Sequence, residues 1–235
     1  MFKIGMFDSG IGGLNTLEVV KKYLPNEDII YYQDTAHNPY GEKTDEELEK
    51  ITTNIVNFLI NNGVKEIIIA CNTATTRCIK KLREKYKDII FIGTEPAIKL
   101  AIDKGYKNIL ILATPATTKS TRLQELIDKY QTDQKIYKVA APGLADAIEQ
   151  NNKNEINELL NKYLNEYKDK NIDAVVLGCT HYSYVEKEIL SILNKATLLD
   201  GNDGVARQAK KMLENNNLLE EKNKEGKIKI IETKK

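Results

Sequence analysis

Short apolar runs alternate with longer stretches of helical periodicity along the whole chain, a pattern that predicts β/α units and largely parallel sheets. Lys3–Phe7 (KIGMF) predicts a strand running into the turn-rich DSGIGG of Asp8–Gly13. A helix is expected over Leu14–Leu24, closed by Pro25. Ile29–Gln33 (IIYYQ) is the next strand. Thr44-Asp-Glu-Glu has the form of a capping box opening a long helix through Asn62, which Gly63 stops. Glu66–Ala70 (EIIIA) reads as a buried strand, because its run is β-branched and does not alternate. The helical KKLREKY then leads to a strand at Ile89–Gly93.

The pattern starts again with strands expected at Lys107–Ala113, Lys135–Ala140, Asp173–Gly178 and Thr197–Asp200. Corresponding strand ends keep a near-constant offset. Phe7 to Leu112 is 105 residues, Ala70 to Gly178 is 108 and Ile92 to Leu199 is 107. This predicts an α/β fold of two similar, pseudo-symmetric domains with largely parallel sheets and an active site in the cleft between them. The expected boundaries are 1–93 with 205–235 for the first domain and 94–204 for the second. The tail after Val205 reads as helical and polar, its Asn/Glu/Lys-rich stretch to Lys224 as solvated surface, and Ile228–Ile231 as a last edge strand.

Composition narrows the chemistry. Of 235 residues, 35 are Lys or Arg and 34 Asp or Glu, so a formal charge of +1 gives no reason to expect nucleic acid as the main partner. The N-terminus lacks the apolar core of a signal peptide, and no run of about 18 apolar residues suggests a membrane span. A cytoplasmic protein is the resulting expectation. The three cysteines, Cys71, Cys78 and Cys179, are too sparse for a disulfide framework or a four-thiolate zinc site. His37 has no paired ligand, so no metal is expected.

Two of those cysteines occupy matching places in the repeat. Ile67–Thr73 reads IIIACNT and Val175–His181 reads VVLGCTH. Each is an apolar strand, a small residue, a cysteine, then polar residues opening a helix. Ligands collect at the carboxyl ends of parallel strands, and helix N–H groups there favour a thiolate. Free cysteine is also a common core residue, but two at the same place weaken that reading. Two thiols on opposite sides of one ligand suit inversion at a tetrahedral carbon, one base for each face. Cys78, two helical turns beyond Cys71, is expected in the core and carries no role.

With DSGIGG, DTAHNPYG, ACNTA and GCTHY in order, the chain closely resembles the glutamate racemases of the aspartate/glutamate racemase superfamily over almost its whole length. The resemblance implies a cofactor-independent, two-base interconversion of L- and D-glutamate, with Cys71 and Cys179 as the opposed bases. It further implies a bacterial cytoplasmic homodimer that supplies D-glutamate for peptidoglycan. Carried over residue by residue, Asp8 and Ser9 fall at the substrate amino group and first thiol, and Pro39, Tyr40 and Gly41 in the substrate-lining loop. Asn72 and Thr73 follow the first cysteine; Thr180 and His181 follow the second. Thr114 and Thr117 match the T-x-x-T pair, and Glu149 the assisting glutamate. Asp8, Glu149 and His181 are thereby expected to assist the two thiols in catalysis.

Plainer roles stand beside these. Asp8 also suits a cap on the turn after it, His181 an ordinary helix start, and Tyr40 packing, with its backbone weighted above its ring. Asn72, Thr73 and Thr180 suit aspartate as well as glutamate, and a non-catalytic glutamate-binding protein would keep the same cleft. A dinucleotide site is disfavoured because Asn15 stands where the G-x-G-x-x-G pattern needs glycine. A Cys179–His181 hydrolase is disfavoured because two residues apart is no assurance of hydrogen-bond geometry, and Cys71 is left over. The chain departs from the family pattern at His37, Asn38, Ala141 and the Ser183-Tyr184 pair.

Overall fold

The computed structural model describes residues 2–221 and 224–234. Along the chain, β1 (Lys3–Asp8), α1 (Gly13–Tyr23), β2 (Ile29–Gln33), α2 (Asp45–Asn61), β3 (Val64–Ile69), α3 (Asn72–Lys85) and β4 (Ile90–Gly93) come first. They are followed by α4 (Ile98–Asp103), β5 (Asn108–Ala113), α5 (Pro115–Thr118), α6 (Thr121–Tyr130) and β6 (Lys135–Ala140). Next come α7 (Leu144–Glu149), α8 (Lys153–Leu164), β7 (Ala174–Gly178), α9 (Glu186–Ile192) and β8 (Thr197–Leu199). The chain ends with α10 (Asn202–Asn215) and β9 (Ile228–Glu232).

These elements form two compact units, residues 1–94 with 202–235 and residues 95–201. Thr94 and residues 202–204 fall in the first unit, because Asn202 opens α10, which packs on α1, β3 and β4.

The first unit holds a five-stranded sheet ordered β4-β3-β1-β2-β9, and every neighbouring pair is parallel. Helices cover both faces. One core joins Ile4, Met6, Ile68 and Ala70 to Leu17 and Val20 of α1 and to Val205, Ala206, Ala209 and Leu213 of α10. The other joins Phe7, Ile67 and Ile69 to Leu48, Val56 and Leu59 of α2 and to Ala74, Cys78 and Leu82 of α3. The helix beginning just before Val205 is thus amphipathic rather than polar: one stripe of four small or aliphatic residues covers the sheet. Lys222 and Asn223, within the stretch expected to be solvated, lie outside the described residues. Cys78 packs in the core as expected, and burial pushes its thiol pKa up.

The capping box forms as the sequence suggests: Thr44 Oγ1 accepts from Glu47 N (3.2 Å) while Glu47 Oε2 accepts from Thr44 N (2.8 Å). Gly63 stops the helix at φ +77°, where an L side chain is strained. A buried carboxyl group without a hydrogen-bond partner among the described residues also lies in this unit. Glu66, fully buried on β3, pairs in register with Ile4 and Ile90, and neither of its carboxyl oxygens has a hydrogen-bond partner among the described residues. Close by, Lys65 Nζ is bound to Glu27 (2.8 Å) and to Leu218 O (2.6 Å). Burial first, then the Glu27 charge, push the Glu66 carboxyl up to about 9.

The second unit holds a parallel four-stranded sheet ordered β6-β5-β7-β8. Read from the other edge, β8-β7-β5-β6 repeats the β4-β3-β1-β2 order of the first unit. One face packs on Ile98 and Ala101 of α4 and Leu123, Leu126 and Ile127 of α6. The other packs on Leu144, Ala147 and Ile148 of α7, Leu160 and Leu164 of α8, and Ile189 of α9. The two central strands approach so closely that a Cβ on Gly178 would lie 2.7 Å from Ala113 Cβ.

Candidate active site

The polar groups singled out in the sequence gather at the carboxyl ends of the central strands of each unit. In the first unit the register pairs Phe7 with Ile69, so Ser9 and Cys71 leave adjacent strands side by side. Cys71 Sγ lies 3.9 Å from Ser9 Oγ. Cys71 also caps α3, its sulfur accepting from Ala74 N at 3.5 Å, so a helix N-terminus faces the thiol with its positive dipole end.

Asp8 serves as the cap that one reading of the sequence offered. Its Oδ2 accepts from Gly10 N and Gly13 N, both at 3.2 Å, and sets the start of α1. Gly13 is required there, since a Cβ would lie 2.5 Å from Tyr31 Oη and 2.6 Å from Asp8 Cβ. Asn72 and Thr73 open α3 and are buried, and Asn72 Oδ1 has no hydrogen-bond partner among the described residues. A buried, unsatisfied acceptor costs about 1–3 kcal/mol, which a donor on a ligand would recover.

Pro39, Tyr40 and Gly41 lie in the connection from β2 to α2, where Tyr40–Glu42 makes a 3-10 turn. Arg77 of α3 holds this connection by donating from Nη1 to Lys43 O (2.7 Å). The Tyr40 ring, weighted below its backbone in the sequence, turns out to be a fully built part of the unit. It is buried, and its hydroxyl donates to Asp34 Oδ2 at 2.6 Å. Burial first, then the Asp34 charge and hydrogen bond, with Cys71 and Asp8, push its pKa well above the ordinary tyrosine range, so the phenol keeps its proton. Asp34 is the residue that sequence reasoning missed. It heads DTAHNPYG, but nothing in the spacing shows that this acid is buried. His37 Nδ1 lies 2.8 Å from Asp34 Oδ1.

In the second unit the register pairs Ala113 with Gly178, so Thr114 and Cys179 leave adjacent strands, as Ser9 and Cys71 do in the first. Thr114 Oγ1 accepts from Thr117 N (3.3 Å) and donates to Thr117 Oγ1 (3.1 Å). Cys179 differs from Cys71 in the helix after it. Both backbones are extended (φ −65° at Cys71, −147° at Cys179), but Thr180–Val185 form a 3-10 helix rather than opening an α-helix. That turn brings Cys179 and His181 within reach of each other, which their spacing along the chain does not by itself assure. His181 Nδ1 lies 3.7 Å from Cys179 Sγ, and His181 Nε2 lies 2.7 Å from Glu149 Oε2. With Glu149 ionised and the imidazole neutral, Nε2 carries the proton and Nδ1 turns its lone pair to the thiol. Thiol, imidazole and carboxylate thus form a chain along which a proton can move. Tyr182, buried beside it, donates to Ala141 O (3.3 Å).

Two units each present a thiol at the end of the same central strand, with a hydroxyl on the neighbouring strand. The model of the Asp/Glu/Hydantoin racemase family matches residues 15–209. The chain belongs to that family. It is an enzyme of the racemase type, and its similarity to glutamate racemases extends over nearly its full length. It is 43% identical over 234 residues to the glutamate racemase of Clostridium perfringens, covering 97% of this chain and 89% of that protein. The glutamate racemase of Francisella tularensis, solved in complex with D-glutamate, is similar with a TM-score of 0.85 and 32% identity over all of this chain and 89% of that one. A glutamate racemase isoform from Bacillus anthracis is similar with a TM-score of 0.86 and 27% identity, again over 100% and 89% of the two chains. Among the described residues of this racemase, no helix is long and apolar enough to cross a membrane.

Proposed function

We propose that this chain interconverts L- and D-glutamate by moving a proton at the α-carbon, with Cys71 and Cys179 as the two bases and no cofactor. The observation that carries this reading is the placement of the two thiols at equivalent ends of β3 and β7, in sheets of the same strand order. The likeness to a glutamate racemase that binds D-glutamate supports the choice of substrate.

In the reaction one cysteine, as thiolate, takes the α-proton. The Cα–H bond breaks, an S–H bond forms, and negative charge spreads into the α-carboxylate. The other cysteine, as thiol, returns a proton to the opposite face. Each turnover leaves the two sulfurs with exchanged protonation states. Reverse turnover resets them, or exchange with solvent does, for which the His181–Glu149 pair supplies a path at Cys179. Asp8 and Asn72 Oδ1 suit the α-ammonium as acceptors. Ser9, Thr73, Thr114, Thr117, Thr180 and the backbone N–H groups of Tyr40 and Gly41, in the loop that Pro39 opens, suit the two carboxylates as donors. Donors fixed before charge develops stabilise it without reorganising, which is where such sites gain most of their rate.

The test is incubation with L-glutamate in D₂O, followed by chiral analysis and proton NMR of the α-position. The wild type is expected to give D-glutamate carrying deuterium. Cys71→Ala and Cys179→Ala are each expected to abolish racemisation with the fold intact, and full D-glutamate formation by either variant refutes the two-base assignment. Turnover of L-aspartate at a rate equal to that of L-glutamate refutes the choice of substrate. The same reading makes the protein a cytoplasmic homodimer supplying D-glutamate for peptidoglycan. Sedimentation velocity tests the dimer, and rescue of depleted cells by external D-glutamate tests the supply.

A further inference from the structure

The last strand, β9, lies beyond the matched family segment and carries none of the groups assigned to the chemistry. Its end is nevertheless built into the connection that carries Tyr40. Thr233 Oγ1 donates to Asp34 Oδ1 at 3.0 Å and accepts from Ala36 N at 3.0 Å, while Thr233 N donates to Gln33 O at 3.0 Å. Asp34 is only 1% exposed, so its carboxylate depends on protein donors rather than water. Its other oxygen takes the Tyr40 hydroxyl at 2.6 Å. One hydroxyl, 199 residues along the sequence, thus holds both a backbone N–H of the connection and the carboxylate on which Tyr40 is oriented.

We propose that Thr233 is a positioning residue for the substrate loop: its hydroxyl fixes Asp34, and through Asp34 the Tyr40 phenol and the adjoining Pro39–Gly41 backbone. The proposal rests on the glutamate-racemase reading above. Thr233 touches no reacting atom, so its loss removes binding common to the ground and transition states, which raises KM and spares kcat. A role limited to stability would lower the melting temperature and leave both constants alone.

The experiment measures kcat and KM for L-glutamate with the full-length wild type, Thr233→Val and Thr233→Ser, alongside thermal unfolding. Thr233→Val, close in shape but without the hydroxyl, is expected to raise KM at least fivefold with kcat within twofold. Thr233→Ser, which keeps the hydroxyl, is expected to return KM to within twofold of wild type. Should Thr233→Val fail to fold, Thr233→Ala is compared with Thr233→Ser on the same criteria. An unchanged KM, a fall in kcat with KM unchanged, or a serine variant as impaired as the valine one overturns the proposal. A wild type without glutamate racemisation removes the functional reading and this proposal together. An active wild type beside an unaffected Thr233→Val removes the positioning role alone.

Discussion

Glu66 turns a buried carboxyl into a measurable dependence of stability on pH. Replacing it with glutamine keeps its shape and removes its proton equilibrium. Burial and the Glu27 charge raise the carboxyl from 4.5 to about 9, with Lys65 opposing. Between those values the unfolded chain has released this proton and the folded chain has kept it. The folded state then binds more protons, so stability falls as pH rises, by about 1.4 kcal/mol for each pH unit. The loss begins near the unfolded value, continues across neutrality and levels off above about 9. From pH 6 to pH 8 it amounts to roughly 2.7 kcal/mol, against total stabilities of about 5–15 kcal/mol. Glu66→Gln has no such proton to release. Its extra N–H, buried without a partner, costs about 1–3 kcal/mol, but equally at every pH. Urea unfolding of both proteins at pH 6, 7 and 8, followed by circular dichroism, therefore isolates the effect. Glu66→Gln is expected to gain on the wild type by about 1.4 kcal/mol per pH unit. A difference that stays constant across that range, or shrinks as pH rises, refutes the reasoning.

Two further substitutions probe the site. Glu149→Gln removes the charge from the 2.7 Å contact with His181, and a charged hydrogen bond is worth about 1.5–3 kcal/mol, so steady-state kinetics should show kcat/KM lower by about 10- to 150-fold. Because enantiomers have an equilibrium constant of one, the same factor must appear from L- and from D-glutamate; no loss in either direction refutes the relay. Gly13→Ala drives a methyl toward Tyr31 Oη and Asp8, and thermal unfolding should show a destabilisation of about 1–3 kcal/mol accompanied by loss of racemisation.

The strands and the thiols were legible because they depend on local pattern. Unalternating β-branched runs mark buried parallel strands, and an apolar strand ending in Cys-Asn-Thr or Cys-Thr-His marks its own carboxyl end. The capping box at Thr44 was equally plain, since all its groups lie within four residues. What was hidden depends on contacts between distant segments. The stripe of α10 is made of Val205, Ala206, Ala209 and Leu213, two of them alanines, and a polar average conceals it. The partnership of Glu149 with His181 spans 32 residues and needs α7 to lie beside the turn after β7. The importance of Asp34 emerges only when β9 closes the sheet beside β2 and brings Thr233 to it.

The interrupted first unit imposes an order on biosynthesis. Residues 95–201 are contiguous and hold all four strands of their own sheet, so that sheet needs no strand from the remainder of the chain. The first unit, although it leads the chain, must wait with Leu17, Val20 and Ile68 uncovered until α10 emerges, and with one edge of β2 open until β9 is made. The nascent protein therefore carries both thiols for some time before the loop around Tyr40 is secured. The contact of Thr233 with Asp34 can form only after both thiols have been made.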